Sequence, residues 1–213
     1  SQWGHDNTGQ AISYAGGTVG TIDCDTDTDL AWDISQGTEN IIISIVDTGV
    51  NGNHEEFAGK MVDGYDFINN DSDASDDNMH GTACAGIAAA QGNNSVGIAG
   101  VAWNCKIMPV KVLSGEGFGD DTSIANGIQF SAQEGAHVIS MSLGGGGFNS
   151  ATNYAIEYAN DVNTVVLSAS GNDNTGTISY PSGYDDCISV GALSPCNERK
   201  STNSCDGENY WGS

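Results

Sequence analysis

Three side chains that could carry out acyl-transfer chemistry stand beside turns in the sequence. Asp47 directly follows an apolar run at residues 41–46, His80 begins an alanine-rich segment, and Asn172 follows another apolar run at residues 164–169. A carboxylate beside an imidazole fixes the tautomer of the ring and stabilises the imidazolium that forms when the ring takes a proton. An asparagine amide can donate hydrogen bonds to a developing oxyanion. Position alone therefore suits these residues to the roles of orienting acid, base and oxyanion donor.

The elements that must position these residues alternate between strands and helices. Strand-like apolar runs occupy residues 41–46, 105–113, 137–143, 164–169 and 187–192, and helical patterns occupy residues 81–91, 122–134 and 150–161. This order predicts an α/β fold: a doubly wound, mostly parallel sheet with helices on both faces. Because open α/β sheets place their sites at the carboxyl ends of the strands, we expect Asp47, Ser142 and Asn172 at one edge.

His80 would then lie at a helix N-terminus, where the helix dipole disfavours a charged imidazole and favours a neutral base. The Asp-Thr-Gly block at residues 47–49 has another known use, in aspartic proteases. Those enzymes need two such blocks in β-rich lobes to share a proton. Here the block occurs once, in an α/β pattern, so this rival is disfavoured. A further reading is that Asp47 and His80 are an ordinary turn residue and an ordinary helix residue.

The amino-acid composition limits the kinds of molecule that this protein can bind. The 213 residues include 28 acidic and only 5 basic side chains, for a formal charge of −23. So few cations cannot neutralise a run of phosphates, which excludes nucleic acid, and an anionic membrane surface is disfavoured for the same reason. The sequence has no apolar run long enough for a transmembrane helix and no leader at Ser1. We expect a secreted protein from which any signal or pro-segment has been removed.

Six cysteines are consistent with an oxidising compartment and permit fifteen full pairings. Cys196 and Cys205 lie in a polar loop, nine residues apart, and are the pair we expect to form a disulfide first. The alternative is that several cysteines are simply buried thiols.

Three blocks of this sequence resemble, in order and spacing, signature blocks of the subtilisin-like serine proteases: residues 45–50 (IVDTGV), 80–86 (HGTACAG) and 168–172 (SASGN). Residues 97–102, 142–144 and 189–192 fit the same family. The resemblance implies a subtilisin-like fold and a peptide or protein substrate. It also implies that Asp47 is the triad acid, His80 the general base and Asn172 the side-chain oxyanion donor.

The same resemblance implies where a peptide binds. Two extended segments would flank the substrate, which would add between them as a strand. These segments are Gly117, Phe118 and Gly119 on one side and Ser142, Leu143 and Gly144 on the other. The pocket for the residue before the scissile bond would be bordered by Ala169, Ser170 and Gly171.

Two of the departures from the family pattern concern the chemistry of the site. Cys84 stands where subtilisin has a second histidine; the kexin branch and proteinase K also have a cysteine at this place. Because this thiol would lie near the base, we hypothesise that a mercurial would inhibit the enzyme. The fourth block, Gly-Thr-Ser-x-Ala, which carries the nucleophile, does not occur in the sequence. We therefore expect residues 1–213 to be a partial peptidase domain, incomplete at the C-terminus and inactive alone. A companion C-terminal fragment would carry the serine. The alternative is a non-catalytic peptide-binding pseudoprotease of the same fold.

Two loops offer the oxygen ligands that Ca²⁺ prefers. The first is an acidic stretch before His80, similar to a calcium loop of thermitase-like members of the family, and its spacing excludes an EF-hand. Its candidate ligands are Asp66, Asn69, Asp71, Asp73 and Asp76. The second resembles another calcium loop of the family, with Glu56, Gln91, Asn94, Val96 and Ile98 as candidate ligands. The alternative for the first loop is a solvated acidic surface.

Overall fold

The computed structural model describes residues 2–12, 16–201 and 203–206. Its centre is a six-stranded sheet in which every neighbouring pair of strands is parallel. The strands, in spatial order, are β4 (Tyr65–Asp66), β5 (Lys106–Lys111), β3 (Ile42–Asp47), β6 (Val138–Met141), β7 (Val165–Ala169) and β8 (Ile188–Val190). The chain runs from β3 to β5 on one side and then crosses to β6 on the other, so the strand order reverses beside β3. Ligand crevices in such sheets open at this point, at the carboxyl end of the strands.

Helices pack on both faces of this sheet. Helix α2 (His80–Ala89) covers one face, and helices α3 (Asp121–Gln133) and α4 (Ser150–Asp161) cover the other. Successive residues of β3 point to opposite faces: Ile45 packs with Ala85 and Ala89 of α2, whereas Val46 packs with Ile128 of α3. The continuous apolar pattern of β3 is thus explained by burial on both sides. The predicted doubly wound α/β fold is confirmed.

One part of the sheet is uncovered in the described structure. Val165 of β7 pairs with Val138 on the face that carries α2, and Ile188 and Val190 of β8 continue that face. All three of Val165, Ile188 and Val190 are exposed. Parallel strands are normally buried on both faces, so this apolar surface has the composition of an interior.

The smaller elements were not predicted from the sequence. They are a hairpin of β1 (Ala11–Ile12) and β2 (Thr18–Val19), helix α1 (Thr28–Trp32), a 3₁₀ turn (Glu55–Phe57), and a hairpin of β9 (Leu193–Ser194) and β10 (Glu198–Arg199). The expected disulfide is confirmed, because Cys196 and Cys205 are bonded. The other four cysteines are free thiols. Among the described residues no helix has both the length and the apolar character needed to cross a bilayer.

Candidate active site

Asp47 and His80 form a hydrogen-bonded pair at the carboxyl end of the central strand. Asp47 is the last residue of β3 and is fully buried, while His80 is the first residue of α2 and is half exposed. His80 Nδ1 lies 2.7 Å from Asp47 Oδ1, which also accepts from the backbone N–H of Thr48 at 2.7 Å. Within the described part of the chain, Asp47 Oδ2 is buried without a hydrogen-bond partner. The pair leaves Nε2 of the imidazole as the nitrogen that can face a substrate.

The electrostatics of His80 differ from the sequence expectation. The hydrogen bond to Asp47 raises the pKa of His80 to about 10, and the nearby thiol of Cys84 acts in the same direction, while partial burial opposes both. Cys84 Sγ lies 3.9 Å from His80 Nδ1. A helix dipole at a partly exposed terminus contributes less than a buried carboxylate in direct contact. The imidazolium is therefore stabilised, and the neutral base predominates only at alkaline pH.

The backbone around this pair is closely packed. Gly81 follows His80, and a Cβ at this position would lie 2.1 Å from the carbonyl oxygen of Gly49. Gly49 has φ of +102°, and a Cβ there would lie 2.6 Å from the carbonyl oxygen of Ala74. Glycine at both positions lets the end of β3, the start of α2 and the preceding loop approach one another. The glycines in the sequence blocks thus bring Asp47 and His80 within hydrogen-bonding distance.

A buried lysine forms hydrogen bonds at the same edge of the sheet. Lys111 ends β5 and is 2% exposed. Its ammonium group donates to the carbonyl oxygens of Thr48 and Leu113 at 2.7 and 2.8 Å, and to Asp77 Oδ1 at 2.6 Å. A buried charge needs such partners to be tolerated. Lys111 therefore links β3, β5 and the loop before His80.

His80 faces a cleft of about 510 Å³ that contains most of the predicted substrate-binding residues. The side chain of Asn172 is exposed and lines this cleft together with His80. The predicted flanking residues Gly117, Phe118, Gly119, Ser142, Leu143 and Gly144 also line it. Tyr180 and Tyr184, which sequence reasoning missed, complete one wall. Six of the twenty lining residues are glycines: Gly117, Gly119, Gly144, Gly145, Gly146 and Gly147.

A second cavity of about 510 Å³ adjoins the first and shares Gly145 and Gly146 with it. Ser170 and Gly171 line this cavity. Ala169, the last residue of β7, lines neither cavity. Arg199, which sequence reasoning also missed, lies on the wall of the second cavity.

The acidic loop before His80 contains the first set of predicted calcium ligands, several of which are hydrogen-bonded to protein groups in the structure. Asp66 is buried, and its carboxylate accepts from the backbone of Ile68 and from the backbone and side chain of Asn69. Both oxygens of Asp76 accept hydrogen bonds from protein donors, and its role as a calcium ligand stays a prediction. Among the described residues, the only group of three acidic, histidine or cysteine ligand atoms within 4.8 Å of one another is Asp47, His80 and Cys84. The carboxylates of Asp71 and Asp73 remain at the surface.

The second predicted calcium loop is more completely assembled. Glu56 is 3% exposed, and its two carboxylate oxygens accept from the backbone N–H of Ile98 at 3.1 Å and from the side chain of Asn94 at 3.0 Å. Gln91 donates its backbone N–H to the carbonyl oxygen of Glu56. Asn94 Oδ1 accepts from the backbone N–H of Val96. Glu56 is thus hydrogen-bonded to Gln91, Asn94 and Ile98 of the same predicted set, whose carboxylate, amide and carbonyl oxygens are ligand types that Ca²⁺ prefers.

Sequence profiles identify the family directly. The profile of the Subtilase family matches residues 38–212 of this chain. Thermitase from Thermoactinomyces vulgaris is 48% identical over 172 residues, which is 81% of this chain and 61% of thermitase. A thermophilic serine proteinase from Bacillus sp. (strain AK1) is 43% identical over 168 residues, which is 79% of this chain and 42% of that protein. The chain thus spans less than two thirds of the length of these relatives.

Solved structures give the same result for the fold. The structure of sphericase matches with a TM-score of 0.70 and 35% identity, covering 74% of this chain and 55% of sphericase. A psychrophilic protease, S41, matches with a TM-score of 0.69 and 33% identity, covering 74% of this chain and 54% of that protein.

Proposed function

This chain belongs to the subtilase family, and from that premise we propose that it is the acid–base part of a secreted serine endopeptidase. The observation that carries the proposal is the 2.7 Å contact between His80 Nδ1 and the buried carboxylate of Asp47, beside a cleft of about 510 Å³ that His80 and Asn172 both line. Residues 1–213 would be a partial peptidase domain. Its substrate would be a peptide or a protein.

In the proposed reaction the residues of this chain move one proton and stabilise one charge. Nε2 of neutral His80 takes the proton of a serine hydroxyl as the serine oxygen attacks the peptide carbonyl. Asp47 holds the Nδ1–H and stabilises the imidazolium, which then gives the proton to the leaving amine. Asn172 donates its amide N–H to the oxyanion of the tetrahedral intermediate. Because the neutral form of His80 is required, the raised pKa predicts activity at alkaline pH.

The nucleophile would lie on polypeptide outside these 213 residues, in a companion C-terminal part of the same domain. Three observations support this. The sequence contains no Gly-Thr-Ser-x-Ala block, the relatives are longer than this chain, and none of the described residues covers the apolar face of β7 and β8. Asp47 Oδ2 has no partner within the described residues, and an unpaired buried acceptor costs about 1–3 kcal/mol. A donor from the companion polypeptide would remove this penalty.

Calcium would stabilise the folded enzyme rather than take part in the reaction. Glu56, Asn94 and Gln91 would hold the ion by side-chain oxygens, with the carbonyl groups of Val96 and Ile98 completing the set. The ion would neutralise a buried carboxylate in a protein of net charge −23. The acidic composition and the disulfide fit secretion, and a relative from Natrialba magadii is described as a halolysin-like extracellular serine protease.

Labelling of native material with a fluorophosphonate probe tests this function. A labelled polypeptide that copurifies with this chain, or a labelled longer chain that contains it, supports the serine endopeptidase. Intact mass of the same sample distinguishes these two outcomes. If the complete native assembly binds a peptide but no polypeptide in it is labelled, the pseudoprotease is the correct function.

A further inference from the structure

Asp76 accepts five hydrogen bonds from groups on both sides of the Asp47–His80 pair. Its Oδ1 accepts from Thr48 Oγ1 at 2.8 Å and from the backbone N–H groups of Asn78 and Met79 at 2.9 and 3.0 Å. Its Oδ2 accepts from the backbone N–H of Thr82 at 2.9 Å and from Thr82 Oγ1 at 2.5 Å. The residue that the sequence suggested as a metal ligand is therefore fully engaged by the protein.

These bonds join two elements that carry the reactive side chains. Thr48 is the neighbour of Asp47 at the end of β3, and Thr82 lies in the first turn of α2, two residues after His80. Thr48 Oγ1 also accepts from the backbone N–H of Gly81 at 2.9 Å. The strand end and the helix start are thus tied together through one carboxylate and one hydroxyl. No hydrogen bond joins Asp76 to Asp47 or to His80 themselves.

The start of α2 needs such support. Met79, directly before His80, has φ of +89°, a conformation that is costly for a residue with a long side chain. Met79 has no side-chain oxygen to cap the helix, so the free N–H groups of the first turn need another acceptor. Asp76 supplies it for Thr82 and also fixes the backbone N–H of Met79. A carboxylate suits this place because both of its oxygens accept and its charge complements the helix dipole.

We propose that Asp76 is a positioning residue for the Asp47–His80 pair, acting through Thr48 and the first turn of α2. The proposal deepens the proposed protease function, because it says what holds the base against its acid. Without Asp76, the end of β3 and the start of α2 would separate or rotate, and the short contact between Asp47 and His80 would be populated less often.

The test compares Asp76→Ala with Asp120→Ala in the 213-residue chain by NMR. Asp120 is a matched control: it caps α3 through the N–H groups of Thr122 and Ser123, and among the described residues no hydrogen bond joins its side chain to α2. The readouts are the downfield proton resonance of His80 Nδ1–H, assigned with His80→Gln, and the protonation constant of His80. The groups that face His80 in this titration are Asp47 on β3 and Cys84 on α2. All samples contain a chelator, so that an ion in the loop cannot contribute.

We expect Asp76→Ala to weaken the downfield resonance and to lower the proton affinity of His80 about tenfold or more, which is one pKa unit. Asp120→Ala should lower the melting temperature but leave both readouts at wild-type values. If Asp76→Ala fails to fold, Thr48→Val removes one bond to Asp76 and the Gly81 contact, with the same expected direction. A folded Asp76→Ala or Thr48→Val chain with a wild-type resonance and proton affinity would overturn the proposal. Neither readout depends on peptide hydrolysis, so this failure is distinguishable from failure of the protease function.

Discussion

Replacement of Asp47 by asparagine should lower the pKa of His80 by a large, measurable amount. Asparagine is close to aspartate in shape, and its side-chain oxygen can still accept from Nδ1–H and from the backbone of Thr48, so the geometry is preserved while the negative charge is lost. In the present structure the Asp47 hydrogen bond is the largest cause of the rise in the pKa of His80 from 6.5 to about 10. We therefore expect the pKa of His80 in Asp47→Asn to fall from about 10 toward 6.5.

The same change has a defined effect on stability as a function of pH. A group with a raised pKa in the folded state contributes stability that is fully present below its unfolded pKa and is lost as the pH rises through its folded pKa. For His80 this window runs from about 6.5 to about 10. The stability of the wild-type chain relative to Asp47→Asn should fall across that window. One proton sets an upper limit of about 1.4 kcal/mol per pH unit, and solvent screening at half-exposed His80 makes the slope smaller.

The assay is a ¹H–¹³C NMR titration of the imidazole of His80 in both chains, with His80→Gln to assign the signal. Urea unfolding at several pH values gives the stability difference. The reasoning is refuted if the pKa of His80 is the same in both chains, or if the stability of the wild-type chain relative to Asp47→Asn grows as the pH rises from 6.5 to 10.

Three further predictions concern the cleft, the second calcium loop and the thiol of Cys84. In an assembled enzyme that contains the nucleophile, Asn172→Ala should lower kcat about 10²–10³-fold, since one oxyanion donor is lost; an unchanged kcat would remove Asn172 from that role. A chelator should lower the melting temperature of the chain, and Glu56→Gln should abolish this response because the buried carboxylate is lost; a chelator effect of equal size in both would place the ion elsewhere. A mercurial should inhibit hydrolysis by the same assembled enzyme, because mercury bound to Cys84 Sγ, 3.9 Å from His80 Nδ1, would displace the imidazole from Asp47. Cys84→Ser should be resistant, and equal sensitivity of the two chains would contradict the assignment.

The fold was largely predictable from the sequence because its core has a simple pattern. The apolar run before Asp47 is buried on both faces in the structure, and the predicted helix over residues 150–161 spans Ser150–Asp161. Strand ends and helix starts in a doubly wound sheet meet at one edge, which is why Asp47 and His80 could be paired before any coordinates were known.

Other features depend on the conformation of the loops, which the apolar pattern of the sequence does not predict. Asp76 looked like one acid among several, and only its distances to Thr48 and Thr82 distinguish it from exposed Asp73. The prediction that His80 is a neutral base was wrong. The helix N-terminus, which lowers the pKa of His80, could be predicted, but the short distance to the Asp47 carboxylate, which raises this pKa more, could not. The small hairpins and the buried Lys111 have no periodic signal and were missed for the same reason.

The central claim, that this chain supplies the acid and base of a serine endopeptidase, is tested most directly by completing its domain. The chain is fused to the C-terminal part of thermitase that has no counterpart here, and hydrolysis of a chromogenic peptide is measured after circular dichroism confirms folding. We predict hydrolysis by the fusion protein and a loss of about 10⁴-fold or more in kcat for His80→Ala. A folded fusion protein that does not hydrolyse the peptide, or one that retains its activity without His80, would contradict the claim.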